Sequence, residues 1–211
     1  MTTDRAYLPA MGKSSLLPFY DVFSTLFGAK DAQWQLVAQA SLPSDGTVLE
    51  IGCGTGNVLV LAGRAAPGAT LIGLDPDPDA LAVAKRKTAR AGLEVRLDQG
   101  YADRLPYADG SVDRVLSSFM LHHLPGPQKL DALREVRRVL APGGSLHLLD
   151  LDHREPAPVH RLLRPRHGHG HGHSPGGAAQ ALMVEAGLRD AVEVSRGKSV
   201  MGDFAHYRAS R

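Results

Sequence analysis

Hydrophobic positions fall into a regular alternation between Thr47 and Asp150. Short apolar runs are separated by stretches in which apolar residues recur every three to four positions. That is the pattern of strands buried on both faces, connected by amphipathic helices. Val48-Leu49-Glu50-Ile51, Thr70 to Asp75, Glu94 to Leu97, Val112 to Ser118 and Leu146 to Asp150 read as strands, the third the weakest in character. Val58 to Ala65 reads as a helix. Asp77 can cap the next one, with Pro78 suited to its first position and Gly92 to its end. A further helix repeats Leu130, Leu133, Val136 and Leu140 on one face and closes at Pro142-Gly143-Gly144. Strands alternating with helices at this spacing predict a doubly wound α/β fold, a mostly parallel sheet with helices on both faces. Such sheets bind ligands at the carboxyl ends of their strands, where the strand order reverses.

Outside this region the pattern is looser. Leu16 to Phe27 is apolar and holds four of the chain's Phe and Tyr residues, Phe19, Tyr20, Phe23 and Phe27. A helix is expected after Pro18 and another over Ala32 to Ala40. An aromatic cluster outside the sheet pattern either packs a helix on the body of the domain or covers a ligand. Toward the other end, Ala178 to Ala186 reads as a helix ended by Gly187. Strands are expected near Ala191 to Ser195 and Phe204 to Tyr207.

Composition narrows the class. The 211 residues suit one compact domain, 43% hydrophobic and 22% charged, with a core that needs no staple. A single cysteine forms no intrachain disulfide, which fits a cytoplasmic location. Neither a signal-peptide pattern nor a run of membrane-span length is present in the sequence. The net charge of +2 provides no field to recruit nucleic acid or an anionic lipid surface.

The chemistry concentrates after the first strand, in Glu50-Ile51-Gly52-Cys53-Gly54-Thr55-Gly56. Alternating glycines there let backbone N–H groups approach a ligand, with a helix N-terminus behind them that favours an anionic group. The spacing is G-x-G-x-G, not the G-x-G-x-x-G of dinucleotide folds, and the Gly-Lys-Ser/Thr ending of a triphosphate loop is missing. Asp75 ends the second strand, where a carboxylate can accept hydrogen bonds from both hydroxyls of a ribose. Cys53 is expected to pack, and Asp113 to set the start of the fourth strand.

Four blocks in order, VLEIGCGTGN, LIGLDPDPDAL, LPYADGSVDRVLSSFMLHHL and LREVRRVLAPGGSLHLLD, resemble the class I S-adenosylmethionine-dependent methyltransferases, especially the ubiquinone/menaquinone C-methyltransferase branch. The resemblance implies a Rossmann-like, seven-stranded sheet completed by a C-terminal antiparallel hairpin. It also implies N-terminal helices as a lid over residues 1–45 and a donor-binding domain over residues 46–211. By position, Gly52, Gly54 and Gly56 would meet the methionine part of S-adenosylmethionine, and Glu50 would orient the loop. Asp75 would hold the ribose, Pro76 would pack on adenine, and Ser117 would lie beside the donor's amino acid part. Where the family commonly has Gly-Asp-Ala, this chain has Gly100-Tyr101-Ala102. The adenine contact there falls to the Ala102 backbone and to stacking by Tyr101.

Methyl transfer from a sulfonium chiefly requires alignment and exclusion of water. A base is needed only when the acceptor loses a proton. His122 and His123, just past the fourth strand, are the candidates, against a packing role for each; Tyr20 and Phe19 would close over the methyl group. The resemblance implies a small, partly apolar acceptor, quinol- or phenol-like or another metabolite. An insertion at about 152–177 carries six of the ten histidines: His153, His160 and His167, His169, His171 and His173 of an alternating His-Gly tract. Imidazoles so spaced can chelate a transition metal, at an entropic cost for ordering the loop. Two alternatives to a methyltransferase are a non-catalytic, adenosyl-cofactor- and metal-binding regulator and, less well matched to the loop spacing, a nicotinamide dehydrogenase.

Overall fold

The structure, a computed structural model, describes residues 29–152, 177–199 and 202–211. The strands are β1 (Thr47–Ile51), β2 (Thr70–Asp75), β3 (Val95–Gln99), β4 (Val112–Ser118), β5 (Leu140–Leu151), β6 (Arg189–Ser199) and β7 (Gly202–Ser210). They form one sheet in the order β3-β2-β1-β4-β5-β7-β6. Neighbours from β3 to β5 pair in parallel, and β7 runs antiparallel to both β5 and β6. From β1 the chain first builds outward through β2 and β3, then returns to add β4 and β5 on the other side. The reversal between β1 and β4 is the point at which such sheets open a ligand crevice.

The helices are α1 (Ala29–Gln39), α2 (Asn57–Ala65), α3 (Pro78–Arg90), α4 (Gly126–Val139) and α5 (Ala178–Glu185). One core layer joins Ala132, Leu133 and Val136 of α4 and Met183 of α5 to Leu49, Val115 and Leu148 of the sheet. A second joins Ala32, Leu36 and Val37 of α1 and Val58, Leu61 and Ala62 of α2 to Val48, Leu71, Leu116 and Leu149. The strands β1, β4 and β5 thus bury alternate residues into opposite layers, which is why their sequences are apolar almost throughout. Helix α3 starts as its sequence predicts. The Asp77 side chain accepts from the backbone N–H groups of Asp79 and Ala80, Pro78 follows, and Gly92 (φ +71°) ends it.

Two differences from expectation have local causes. Helix α4 ends at Val139, before Pro142, and Leu140 already belongs to β5. Proline disfavours helix at the residue before it, and Leu140 pairs with Val112. Ala141 to Gly144 then bulge out before pairing resumes at Ser145 opposite Arg114. The hairpin strands β6 and β7 run longer than their apolar cores, because backbone pairing continues through polar residues. Helix α1 packs into the body of the sheet. His206 on β7 reaches the Ala32 carbonyl through Nε2 (2.8 Å), and Ser195 on β6 contacts both His206 Nδ1 (3.0 Å) and Gln39 Nε2 (3.1 Å). Residues 1–28, with Phe19 and Tyr20, and the insertion from His153 through His173 lie outside the described residues. No helix among the described residues is long and apolar enough to cross a membrane.

Candidate donor site

The turn between β1 and α2 is built on left-handed backbone: φ is +67° at Gly52, +48° at Gly54 and +79° at Gly56. A Cβ would strain each of these positions, yet the three glycines differ in what surrounds them. A Cβ on Gly52 would lie 2.2 Å from Met120 Cγ, and one on Gly56 would lie 3.1 Å from Ala84 Cβ. A Cβ on Gly54 would meet nothing within 4 Å. Gly52 and Gly56 therefore allow close packing against the β4–α4 turn and α3, while Gly54 faces open space.

Asp75 fixes this loop from the neighbouring strand. Its Oδ2 accepts from the Gly54 N–H (2.7 Å) and its Oδ1 from the Asp77 N–H (2.9 Å). Burial raises its carboxyl above the ordinary range, and these two bonds act in the opposite direction. Each oxygen keeps a lone pair for a further donor. Lys87 of α3 donates to Thr55 Oγ1 (3.1 Å) and Asn57 Oδ1 (2.6 Å), tying the far side of the loop to that helix. The adenine-side residues are brought to the same edge: Gly100 N–H donates to the Asp75 carbonyl (3.1 Å), and Gln99 Nε2 donates to the Pro76 carbonyl (3.1 Å). Tyr101 follows half-buried, and Ala102 turns its methyl into the core.

Two buried polar atoms lie at the switch point without a hydrogen-bond partner among the described residues, Glu50 Oε2 and Ser117 Oγ. Ile51 pairs with Ser117 and Glu50 with Leu116, so the two groups lie near the carboxyl ends of adjacent strands, one residue apart in register and on opposite faces of the sheet. Burial drives the Glu50 carboxyl well above the ordinary carboxylate range, and the nearby Asp75 charge adds to this. Its bond from the Leu59 N–H and the Lys87 charge oppose that shift in part. Orphaned buried polar groups are costly, so two of them at the carboxyl ends of β1 and β4 mark this edge of the sheet as a candidate binding site for a polar ligand.

A family model described as a methyltransferase domain matches residues 48–144, which hold all the elements just described from β1 to the end of α4. Demethylmenaquinone methyltransferase of Thermus thermophilus is 38% identical over 141 residues, covering 65% of this chain and 63% of that protein. Its counterpart from Deinococcus radiodurans is 33% identical over 140 residues, covering 65% and 57%. Among solved structures, a SAM-dependent methyltransferase from Aquifex aeolicus aligns with a TM-score of 0.69 at 21% identity, covering 93% of this chain and 97% of that one. The methyltransferase SibL aligns with a TM-score of 0.69 at 25% identity, covering 91% and 56%. Residues 48–144 thus match a methyltransferase domain, and the fold is that of the S-adenosylmethionine-dependent methyltransferases. The aligned part spans less than two thirds of the length of those two curated relatives.

Within this methyltransferase fold the sequence-predicted positions sort into three groups. Glu50, Gly52, Gly54, Gly56, Asp75 and Ser117 come together around the β1–α2 turn, and Pro76, Tyr101 and Ala102 line the adjoining edge. His122 and His123 lie in a single 3-10 turn, Leu121–His123, just beyond β4. Tyr20 and the tract His167, His169, His171 and His173 fall outside the described residues. No cluster of metal-binding side chains is present among the described residues. Cys53 is buried, with its thiol pushed up by burial, in keeping with packing. Asp113 Oδ2 accepts from the Thr47 N–H (2.8 Å), joining the starts of β4 and β1.

The sequence reading missed Met120, Lys87 and Asp150. Met120 seals Gly52 and Lys87 holds the loop, and neither has a sequence signature. Asp150 had one: like Asp75, it is an acid near the carboxyl end of an apolar strand. Its carboxylate binds both the Nδ1 (2.5 Å) and the backbone N–H (2.9 Å) of His122.

Proposed function

We propose that this chain transfers a methyl group from S-adenosylmethionine to a small, partly apolar acceptor, of quinol or phenol type. The observation that carries the donor reading is Glu50 Oε2, buried and unpartnered beside a loop on which Gly54 alone of the three glycines faces open space, with Ser117 Oγ also unpartnered at the end of the neighbouring strand. The donor's ammonium and carboxylate are groups of the kind that such a carboxyl, hydroxyl and run of backbone N–H groups would hold. In this reading Gly52, Gly54 and Gly56 frame the methionine part, Asp75 takes the ribose hydroxyls, and Pro76, Tyr101 and the Ala102 backbone border the adenine.

The bound donor supplies an electrophilic methyl group on a sulfonium. What remains for the chain is to align an acceptor, exclude water and, where the acceptor requires it, take a proton. His122 and His123 are the side chains near the site suited to that last task, and Tyr20 with Phe19 would contribute from the N-terminal segment. The names of the Thermus and Deinococcus relatives favour a quinol-like acceptor. We further propose a cytoplasmic location and no nucleic-acid partner, consistent with the small net charge of +2. The regulator alternative rests on the His-Gly tract; deleting 167–173 with metal content and turnover unchanged would remove it. Incubation with methyl-labelled donor and a panel of quinols, phenols, amines and carboxylates tests the reading. Label in a quinol or phenol product is expected; label confined to other acceptors would displace the acceptor assignment.

A further inference from the structure

The turn after β4 contains a second arrangement that the donor site does not use. Phe119 has a left-handed backbone (φ +53°), a strained conformation for a residue with a side chain. Its N–H donates to the Leu149 carbonyl (2.8 Å), and from there the chain folds into the turn carrying the two histidines. Met120 of the same turn is the residue that touches Gly52, so the histidines lie within a few residues of the glycine loop.

Asp150 is 4% exposed and has three donors arranged on it. Its Oδ2 accepts from the His122 N–H, and its Oδ1 accepts from the Leu151 N–H (2.8 Å) and faces His122 Nδ1 at 2.5 Å. A bare Nδ1 lone pair against a carboxylate oxygen would be repulsive, so Nδ1 carries the hydrogen. In the neutral ring Nε2 then has a free lone pair. The ring is partly accessible, with 23% of the side chain exposed. His123 stacks beside it (centroids 4.0 Å apart), but its ring makes no hydrogen bond among the described residues.

We infer that Asp150 and His122 form a proton-accepting pair that draws the acceptor toward hydroxyl compounds, in which a neutral O–H must give up its proton as the methyl group arrives. This rests on the donor-site reading above. A neutral hydroxyl is a poor nucleophile without a base, whereas a neutral amine attacks through its own lone pair, so a fixed base benefits the first far more than the second. In the balanced step, the acceptor oxygen forms the new bond to the methyl carbon as the carbon–sulfur bond breaks and leaves its electron pair on sulfur. The hydroxyl proton passes to His122 Nε2. The imidazolium so formed keeps Nδ1–H on the Asp150 carboxylate, whose charge offsets it, and later releases the proton to water. His122 is the catalytic base and Asp150 a positioning residue, holding the ring's tautomer and orientation.

Two measurements on the full chain test this. In the first, nitrogen-15 NMR of the histidine rings should show a strongly downfield Nδ1 proton on His122 that disappears in Asp150→Asn. Absence of that proton from the wild-type protein, or its persistence in the variant, would overturn the pair. The second compares turnover of 4-methoxyphenol, phenol and 4-nitrophenol, with benzylamine as the amine probe. Asp150→Asn and His122→Asn should each lower kcat by about 10²- to 10³-fold on the two weakly acidic phenols, with far less effect on the readily ionised nitrophenol. Donor affinity, followed by calorimetry, should stay unchanged in both variants. Equal losses on all acceptors, or turnover of benzylamine with none of the phenols, would refute the inference and leave the donor site standing. Loss of donor binding in the wild-type protein would instead refute the reading beneath it.

Discussion

Gly52 and Gly54 differ in sequence only by position, yet their surroundings predict different consequences for the same substitution. Gly52→Ala drives a Cβ into Met120 on a left-handed backbone and should destabilise the fold by about 2–4 kcal/mol. Gly54→Ala meets no neighbour and should cost only about 1–2 kcal/mol for its backbone, while weakening donor binding by a larger factor than Gly52→Ala does per unit of lost stability. Chemical denaturation with paired donor titrations separates the two effects. Glu50→Gln should act in the opposite sense. Removing a buried carboxyl that strongly resists ionisation should raise the unfolding temperature of the ligand-free protein, and donor binding should weaken by about 1–3 kcal/mol. A variant that binds the donor as wild type would show that Glu50 is not a contact.

At the scale of elements, the loop between β3 and β4 is clamped by Arg138 and Glu135 of α4. Arg138 of α4 donates to the Leu105 carbonyl (2.9 Å), the Tyr107 carbonyl (2.8 Å), Asp109 Oδ1 (2.7 Å) and both oxygens of Glu135. Glu135 completes the clamp by accepting from the Leu105 N–H (2.8 Å). Arg138→Met should cost about 2–4 kcal/mol, because two loop carbonyls and two carboxylates lose a donor together. An urea midpoint unchanged from wild type would contradict this. The elements themselves were legible in the sequence, because strands buried on both faces and capped helices leave strong local patterns, as Val112–Ser118 and the Asp77-Pro78 start of α3 demonstrate. What was not legible depends on pairing between distant segments. The early start of β5 needs Val112 opposite Leu140, and the Asp150–His122 contact needs β5 in register with β4. The glycine loop and Asp75 were found because their chemistry is written in consecutive residues. Lys87 and Met120 reach that loop from other elements, and nothing local marks them.

Across the whole molecule, buried histidines contribute to the response to acid. His147 on β5 is held down to about 4, first by burial and then by the charges of Arg114 and Arg208; His206 is lowered by burial, against the pull of the Ala32 carbonyl. The unfolded chain therefore binds these protons more readily than the folded one. Their contribution to stability is complete above about pH 6.5 and is lost as pH falls toward 4. Glu50 and Asp75, both raised, work the other way, since protonation on acidification relieves their burial. His147→Gln should remove about 2–3 kcal/mol of the acid-induced loss at pH 4.5, read as a flatter dependence of unfolding free energy on pH. A slope identical to wild type would exclude His147 as a source of acid sensitivity.

The proposed chemistry requires the crevice between β1 and β4 to hold S-adenosylmethionine. Isothermal titration of the full chain with S-adenosylmethionine and with S-adenosylhomocysteine addresses it most directly. Saturable binding of one molecule per chain is predicted for each. Asp75→Ala should weaken it by about 1–3 kcal/mol, roughly a five- to 150-fold rise in Kd. The absence of binding by both compounds, or an affinity indifferent to Asp75→Ala, would contradict it.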